Sequence, residues 1–473
     1  MISLQIDSKE EHVISPYLYM QFMEPLGTAD ASIDAAWDFI QKDWNALVLD
    51  KVRELAPTMI RFGGTMIDYY HWKEAVGPCR IPMINYCWGG LYHNLVGTHE
   101  IIDFCRKVNA EPLMSVNMES DGFQNWAYPQ PGVCRLGTAE EAAAWVSYCN
   151  APNNTLRHEH GIDEPYHIQY WQIGNETSYK IRNQVGFDVN RCYEVTARFA
   201  EAMRKVDPNL KLIGWGDHDH AKNNWMKKMN HLENIDLLAF HHHFGSGLPD
   251  SPLRGVAYRE DIDLTWHHLM NAHKSLNDHI CQLRDDLGNK RLAMTEGHFA
   301  LPGRNRNEVL SSWGAGVAYA RCLNVIMRHS DVLDIATMAD FFGNLWQVNA
   351  LMIPSPTPYY GMPYLQPVGA VMSLFCHHQG KHALNCRYSG NIDAVASKTE
   401  STIYVHVVNT DMHHSQHISI NLGKSATMYI ISANPKTEIT PDCLDVFAVK
   451  HLTINPSDFI LPPAAVAAIE IEV

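Results

Sequence analysis

The sequence predicts an α/β protein: a (β/α)8 TIM barrel followed by a C-terminal antiparallel β-sandwich that the N-terminal strand completes. Three observations carry this. From Ser15 to about residue 380, eight short apolar runs alternate with longer amphipathic helical patterns. The turn after the first run, Met23-Glu-Pro-Leu-Gly27, lacks the glycine-rich phosphate loop that an open doubly wound sheet would carry. Beyond residue 380 the rhythm changes to short alternating runs broken by Asn, Gly, Pro and Asp.

In chain order, Ile2, Leu4 and Ile6 alternate with polar residues as a half-buried strand, so residues 1–14 are expected to join the sandwich. Residues 15–380 form the expected barrel. Its strands are read at 16–23, 58–62, 112–117, 167–173, 211–215, 235–241, 291–295 and 332–339. Helices are read at 33–55, 98–109, 138–150, 187–206, 221–232, 259–286, 307–330 and 363–378, and Thr138 with Glu141 is a capping-box signal. Residues 381–473 supply the sandwich, with runs at 402–408, 417–422, 426–431, 451–454 and 465–473.

Composition narrows the partners. The 473 residues are 46% apolar and 19% charged, with a formal net charge of −15. An acidic chain without Lys/Arg blocks is a poor match for nucleic acid or an anionic membrane, and no run is long and apolar enough to span a bilayer. A neutral carbohydrate is not excluded. Charges near the N-terminus, Met1-Ile-Ser-Leu-Gln-Ile-Asp-Ser-Lys, sit where a signal peptide would be apolar, so a cytoplasmic location is expected. The eleven cysteines are scattered and form no CxxC pair, as expected of reduced thiols.

A barrel of this kind carries its site at the C-terminal ends of its strands. There the sequence places Glu24, then Arg61 before Gly63-Gly64, Asn117, Asn175-Glu176, Asp217, His241-His242-His243, Glu296 with His298, and Asn344 with Trp346 and Gln347. Glutamates after strands 4 and 7 face each other across a barrel mouth. Such a pair suits retaining glycoside hydrolysis, in which one carboxyl protonates the leaving oxygen and the other attacks the anomeric carbon. Glu176 is then expected to be protonated and Glu296 ionised, with Arg61 or a nearby hydroxyl holding the charge.

Plainer readings compete. A single Glu after a strand is commonly a solvated loop residue, and Arg61 could serve a structural ion pair. Of the three consecutive histidines at most two can face one site, so a metal centre with His218 and His220 is not favoured, and no metal or other cofactor is expected. Trp72, Trp88, Trp126 and Trp346 lie in expected loops, and one or two of them should line the site.

Trp171-Gln-Ile-Gly-Asn-Glu176 resembles the acid/base motif of glycoside hydrolase family 51, the α-L-arabinofuranosidases. Ser15–Glu24, Gly97–Val108 and Glu111–Met118 are similar to that family's first strand, second helix and third strand, and Ala144–Pro152 resembles its Tyr-Cys-Asn-Gly-Pro segment. The resemblance implies Glu176 as acid/base and Glu296 as nucleophile. It implies that Glu24, Arg61 and Asn175 hold the furanose hydroxyls, Asn175 at the 2-hydroxyl, and it implies a homo-oligomer. The candidate sugar contacts are therefore Glu24, Arg61, Asn117, Asn175, His241, His243, His298, Trp346 and Gln347.

The chain departs from the family at Thr65, where the pattern has Asn, at His243, where it has Tyr, and at Gly297-His298, where it has Trp-Asn. The expected activity is exo-acting, retaining removal of α-L-arabinofuranosyl groups. The alternatives are a galactofuranoside, a β-linked pyranoside, a non-catalytic carbohydrate-binding protein or a metal-dependent hydrolase.

Overall fold

The computed structural model describes residues 1–85, 87–120, 135–178, 188–217, 225–245, 253, 255–300 and 307–472. Eight parallel strands form the barrel: Gln21–Met23, Met59–Phe62, Glu111–Val116, Tyr170–Ile173, Lys211–Trp215, Leu237–Gly245, Arg291–Ala300 and Leu333–Ala336. They are hydrogen-bonded in sequence order. A parallel bridge between Tyr17 and Ile335, with Met20 N–H donating to the Ala336 carbonyl, closes the last strand onto the first. All eight expected strands are present. Their apolar, β-branched content is what a strand covered on both faces requires.

The helices correct the sequence reading in several places. The expected helix 307–330 is a short 3-10 turn at Glu308–Ser311 and then, after an extended Ser312, the helix Trp313–Arg328. The expected helix 363–378 begins only at Pro367, because Tyr364–Leu365 is a strand. The expected helix 33–55 is a single turn, Ile33–Ala36, then a small hairpin pairing Trp37–Asp38 with Asp43–Trp44, then Ala46–Leu55. Asn45 caps the last of these by accepting from Leu47 N–H. The expected helix 259–286 breaks into Ile262–Leu269 and Ala272–Asp286. At Thr138 the cap forms, but Glu141 turns away from it to His71 Nδ1 at 2.7 Å, so only half of the capping box is used.

The N-terminal strand Ile2–Val13 lies in the nine-stranded C-terminal assembly. Its start pairs with Gln416–Ile420 and its remainder with His382–Arg387. The first pairing is parallel, so the sandwich is not wholly antiparallel. His382–Arg387 and Ile392–Lys398 are strands without a strong alternating pattern of their own, and their register is supplied by neighbours. The sandwich has a separate apolar core that includes Leu4, Ile6, Val405, Ile418 and Ile469.

The helix Trp313–Arg328 carries the seam between the two cores. Buried Asp393 accepts from Arg328 and Asn324 and pairs with Arg321, while Trp313 Nε1 donates to the Ala464 carbonyl at 2.7 Å. After the last barrel strand, Asp340–Gly343, Asn349–Met352 and Tyr364–Leu365 form a small sheet over the barrel mouth side of the chain.

Candidate active site

Two local features aim Glu176. The fourth strand ends at Ile173, and Gly174 turns the chain with φ +76°. Glu176 itself has φ +47°, a region that a residue with a long side chain seldom occupies and that surrounding structure must impose. The turn buries Asn175 fully and leaves Glu176 facing the mouth.

Glu296 stands on the seventh strand. Arg61, fully buried, donates through Nη1 to Glu296 Oε1 at 2.9 Å and through Nη2 to Asn175 Oδ1 at 2.6 Å. One guanidinium thus fixes the nucleophile candidate and the amide next to the acid candidate, a bidentate arrangement lysine could not reproduce. Asn175 Nδ2 is buried and has no protein partner.

His241 joins the two carboxylates. Its Nδ1 lies 3.0 Å from Glu176 Oε1 and 3.5 Å from Glu296 Oε2, and its Nε2 lies 3.0 Å from Thr295 Oγ1. Burial lowers its pKa to about 4, opposed by Glu296, so the ring is neutral near pH 7. Because Nδ1 faces carboxylate oxygens, the proton belongs there, and Nε2 accepts from the Thr295 hydroxyl. Burial raises Glu296 above the ordinary carboxylate range. His241 and Arg61 pull it back and Glu176 pushes it further. Arg61 therefore holds Glu296 as the sequence reading asked, but against a net upward shift.

Glu24 is buried at the end of the first strand. Its Oε1 accepts from Met66 N–H and from Trp88 Nε1, both at 2.9 Å. Burial, with Glu296 nearby, holds its carboxyl well above the usual range. Gly64, at φ +106°, lets the backbone pass this carboxylate, since a Cβ there would lie 2.2 Å from Glu24 Oε2. Thr65 follows, buried, in the turn Thr65–Asp68.

The histidine run divides as strand geometry demands. His241 and His243 face the mouth, while His242 points outward with Nδ1 3.0 Å from His279 Nδ1. His243 is exposed to solvent at the mouth, next to His298. The His243 and His298 rings are 4.4 Å apart. His298 Nδ1 lies 2.9 Å from Asp340 Oδ1. Burial alone would lower its pKa, but Asp340, Glu296 and Glu176 raise it above the ordinary imidazole value.

Other candidates separate. Trp346 packs edge-on against Trp88 at 5.4 Å, which places this aromatic pair beside Glu24. Gln347 Oε1 is buried without a protein partner. Trp72 is core, stacked on Trp145. Asn117 spends its side chain on its own loop, accepting from Ser120 N–H at 2.9 Å and donating to the Arg135 carbonyl at 3.0 Å. Trp126, His218 and His220 lie outside the described residues.

Glu176, His243 and Glu296 each offer an atom within 4.8 Å of the others, which is also the one metal-compatible grouping among the described residues. A cation there would occupy both carboxylates. Sequence reasoning missed Asp340, the partner of His298, and Thr295, the partner of His241. Neither has a local signal beyond proximity to a strand end.

The family model described as "Alpha-L-arabinofuranosidase 1 domain" matches residues 51–246. An "Intracellular exo-alpha-L-arabinofuranosidase" of Bacteroides ovatus is 24% identical over 100% of this chain and 95% of its own length. An "Intracellular exo-alpha-(1->5)-L-arabinofuranosidase" of Acetivibrio thermocellus is 30% identical, but over 43% of this chain and 39% of its own length. Among solved structures, a GH51 arabinofuranosidase from Xanthomonas axonopodis pv. citri superposes with TM-score 0.81 and 18% identity, covering 99% of this chain and 100% of that one. Among the described residues no helix is long and apolar enough to cross a membrane.

Proposed function

We infer, from a chain that is an α-L-arabinofuranosidase-like glycoside hydrolase of family 51, that it removes terminal α-L-arabinofuranosyl groups by a retaining double displacement. The observation that carries the mechanism is the carboxylate pair: Glu176 and Glu296 have oxygens within 4.8 Å of each other. Retaining enzymes hold their two carboxyls about 5–5.5 Å apart, whereas inverting ones need about 6.5–9.5 Å to admit a water between.

In the first step Glu296 attacks the anomeric carbon through Oε2, since Arg61 occupies Oε1. The glycosidic C–O bond breaks as Glu176 gives its proton to the departing oxygen. A glycosyl ester on Glu296 results. In the second step Glu176, now a carboxylate accepting from His241 Nδ1, takes a proton from water. The water oxygen attacks the same carbon and Glu296 leaves with its electron pair. Neutral His241 suits both steps, because it donates to Glu176 without adding a positive charge that would hold that carboxyl deprotonated in the first.

Asn175 Nδ2, a buried donor lacking a protein partner, supports a contact with a sugar hydroxyl. Such a contact strengthens as charge develops at the anomeric carbon. Glu24, Trp88, Trp346 and Gln347 bound the sugar from the other side. His243 and His298 bring ring nitrogens and the Asp340 charge to a wall of this subsite, where the furanose is read.

Glu296→Ala tests the assignment. Hydrolysis should fall about 10⁴-fold or more, and azide should restore turnover as a glycosyl azide of inverted configuration. Hydrolysis at the unmutated rate would overturn it. A panel of aryl glycosides tests the sugar: turnover of a galactofuranoside or β-pyranoside in preference to the α-L-arabinofuranoside would reassign it. The intracellular relatives support a cytoplasmic setting, which secretion of the full-length protein would contradict.

A further inference from the structure

Asp30 sits in the loop after the first barrel strand, 1% exposed, and the reaction above does not use it. Its two oxygens collect four donors from a segment more than three hundred residues away. Oδ1 accepts from Asn344 N–H at 2.7 Å and Leu345 N–H at 3.1 Å. Oδ2 accepts from Trp346 N–H at 3.1 Å and Asn349 Nδ2 at 2.8 Å. In return Ala31 N–H donates to Asn344 Oδ1 at 3.2 Å. The approach is close enough that a Cβ on Gly343 would lie 2.2 Å from Asp30 Oδ2.

The segment so gripped carries Trp346 and Gln347, two of the candidate sugar contacts, and Trp346 packs on Trp88, whose indole nitrogen donates to Glu24. The same loop that holds Asp30 is tied to Glu24 from behind, through Ser32 Oγ donating to the Glu24 carbonyl. A carboxylate is the one short side chain that can accept all four donors. Any replacement leaves buried N–H groups unpaired, and the turn must move to satisfy them.

We propose that Asp30 is a positioning residue for the sugar subsite: by ordering the Asn344–Gln347 turn it sets Trp346 and Gln347, and through Trp88 the Glu24 carboxyl. This rests on the arabinofuranosidase reading. A loop staple of purely structural effect would lower stability and leave the kinetics of the folded enzyme alone. Displacement of a binding wall by a fraction of an ångström to 1 Å costs up to about 100-fold in turnover efficiency.

The test uses the full-length enzyme and an aryl α-L-arabinofuranoside, with rates expressed per folded molecule. Asp30→Asn turns one acceptor into a donor facing two donors. It should raise KM about tenfold while kcat changes by less than about threefold, with the limbs of the pH profile unmoved. Adding Asn349→Asp to that variant gives the introduced amide an acceptor and should recover part of the KM. Gly343→Ala serves as the second variant, since it displaces the Asp30 carboxylate without removing it, and should raise KM in the same direction. KM and kcat within twofold of the unmutated enzyme in both single variants would overturn the proposal. Failure of the unmutated enzyme to hydrolyse the arabinofuranoside would overturn the function instead, so the two outcomes are distinct.

Discussion

Among the described residues two buried carboxylates meet arginine, and they are treated in opposite ways. At the seam between barrel and sandwich, Asp393 is surrounded by Arg321, Arg328 and Asn324. Burial alone would raise its pKa, but Arg328 and Arg321 hold it below the ordinary aspartate value. At the barrel mouth, Glu296 has one arginine, shared with Asn175, and a second carboxylate as neighbour, and its pKa is raised. Beside it Asn175 Nδ2 stays unpaired. A saturated carboxylate holds two domains together. The under-saturated one leaves Glu296 Oε2 without an arginine partner, as the proposed nucleophile requires.

Substitutions should break this contrast cleanly. The largest effect is that of Glu296→Ala on turnover, described above, and its stability loss should be smaller than that of Asp393→Ala, because it strands one buried arginine while relieving the crowding of two acids. A fall in melting temperature as large as that of Asp393→Ala would make Glu296 a structural residue like Asp393.

Glu176→Ala should cost about 10²–10⁴-fold on alkyl arabinofuranosides, whose leaving oxygen needs a proton, and far less on aryl ones with good leaving groups. Equal losses on both series would remove Glu176 from the acid role.

Asp393→Ala should do the reverse of the first variant. It strands two arginines against a buried site and should cost about 3 kcal/mol of stability, read by denaturant unfolding, with kcat per folded enzyme unchanged. The pH sign follows from the depressed pKa. The contribution is present above the unfolded aspartate value of about 3.9 and is lost as pH falls through the folded value. A rise in stability on acidification through that window would contradict it.

The smallest effect is on the pH profile. As the proposed nucleophile Glu296 must be ionised, and its pKa is raised, so the acid limb of kcat/KM should lie above the ordinary glutamate value of about 4.3. Arg61→Gln should move it further upward. A limb at or below the ordinary value would mean that Arg61 outweighs burial, making the mouth resemble the seam.

Much of this architecture was legible in the chain. The eight strands announce themselves because a parallel strand buried on both faces must be continuously apolar. Gly174-Asn175-Glu176 is visible because the fourth strand ends where polarity returns, and Met294-Thr-Glu296 because polarity returns there too, although the seventh strand runs on to Ala300. His382–Arg387 was not legible, since its strand character is imposed by pairing with Ile2–Val13. The expected helix 33–55 gives way to a hairpin because Trp37–Trp44 is stabilised by contacts outside the segment, among them the Trp44 indole donating to the Glu100 carbonyl.

The sequence by itself determined that one glutamate follows strand 4 and another interrupts the apolar run of strand 7, because periodicity and the return of polarity are local properties. Tertiary structure alone decided how each is held. Asp30 meets Asn344–Asn349, Asp340 meets His298, and Arg61 meets both Asn175 and Glu296 only when the barrel closes and its loops fold over the mouth. Asn117, a strand-end amide in the sequence, is drawn into its own loop by the same process. Hydrogen-bond partners separated by hundreds of residues leave no trace in local pattern, because what selects them is distance in space.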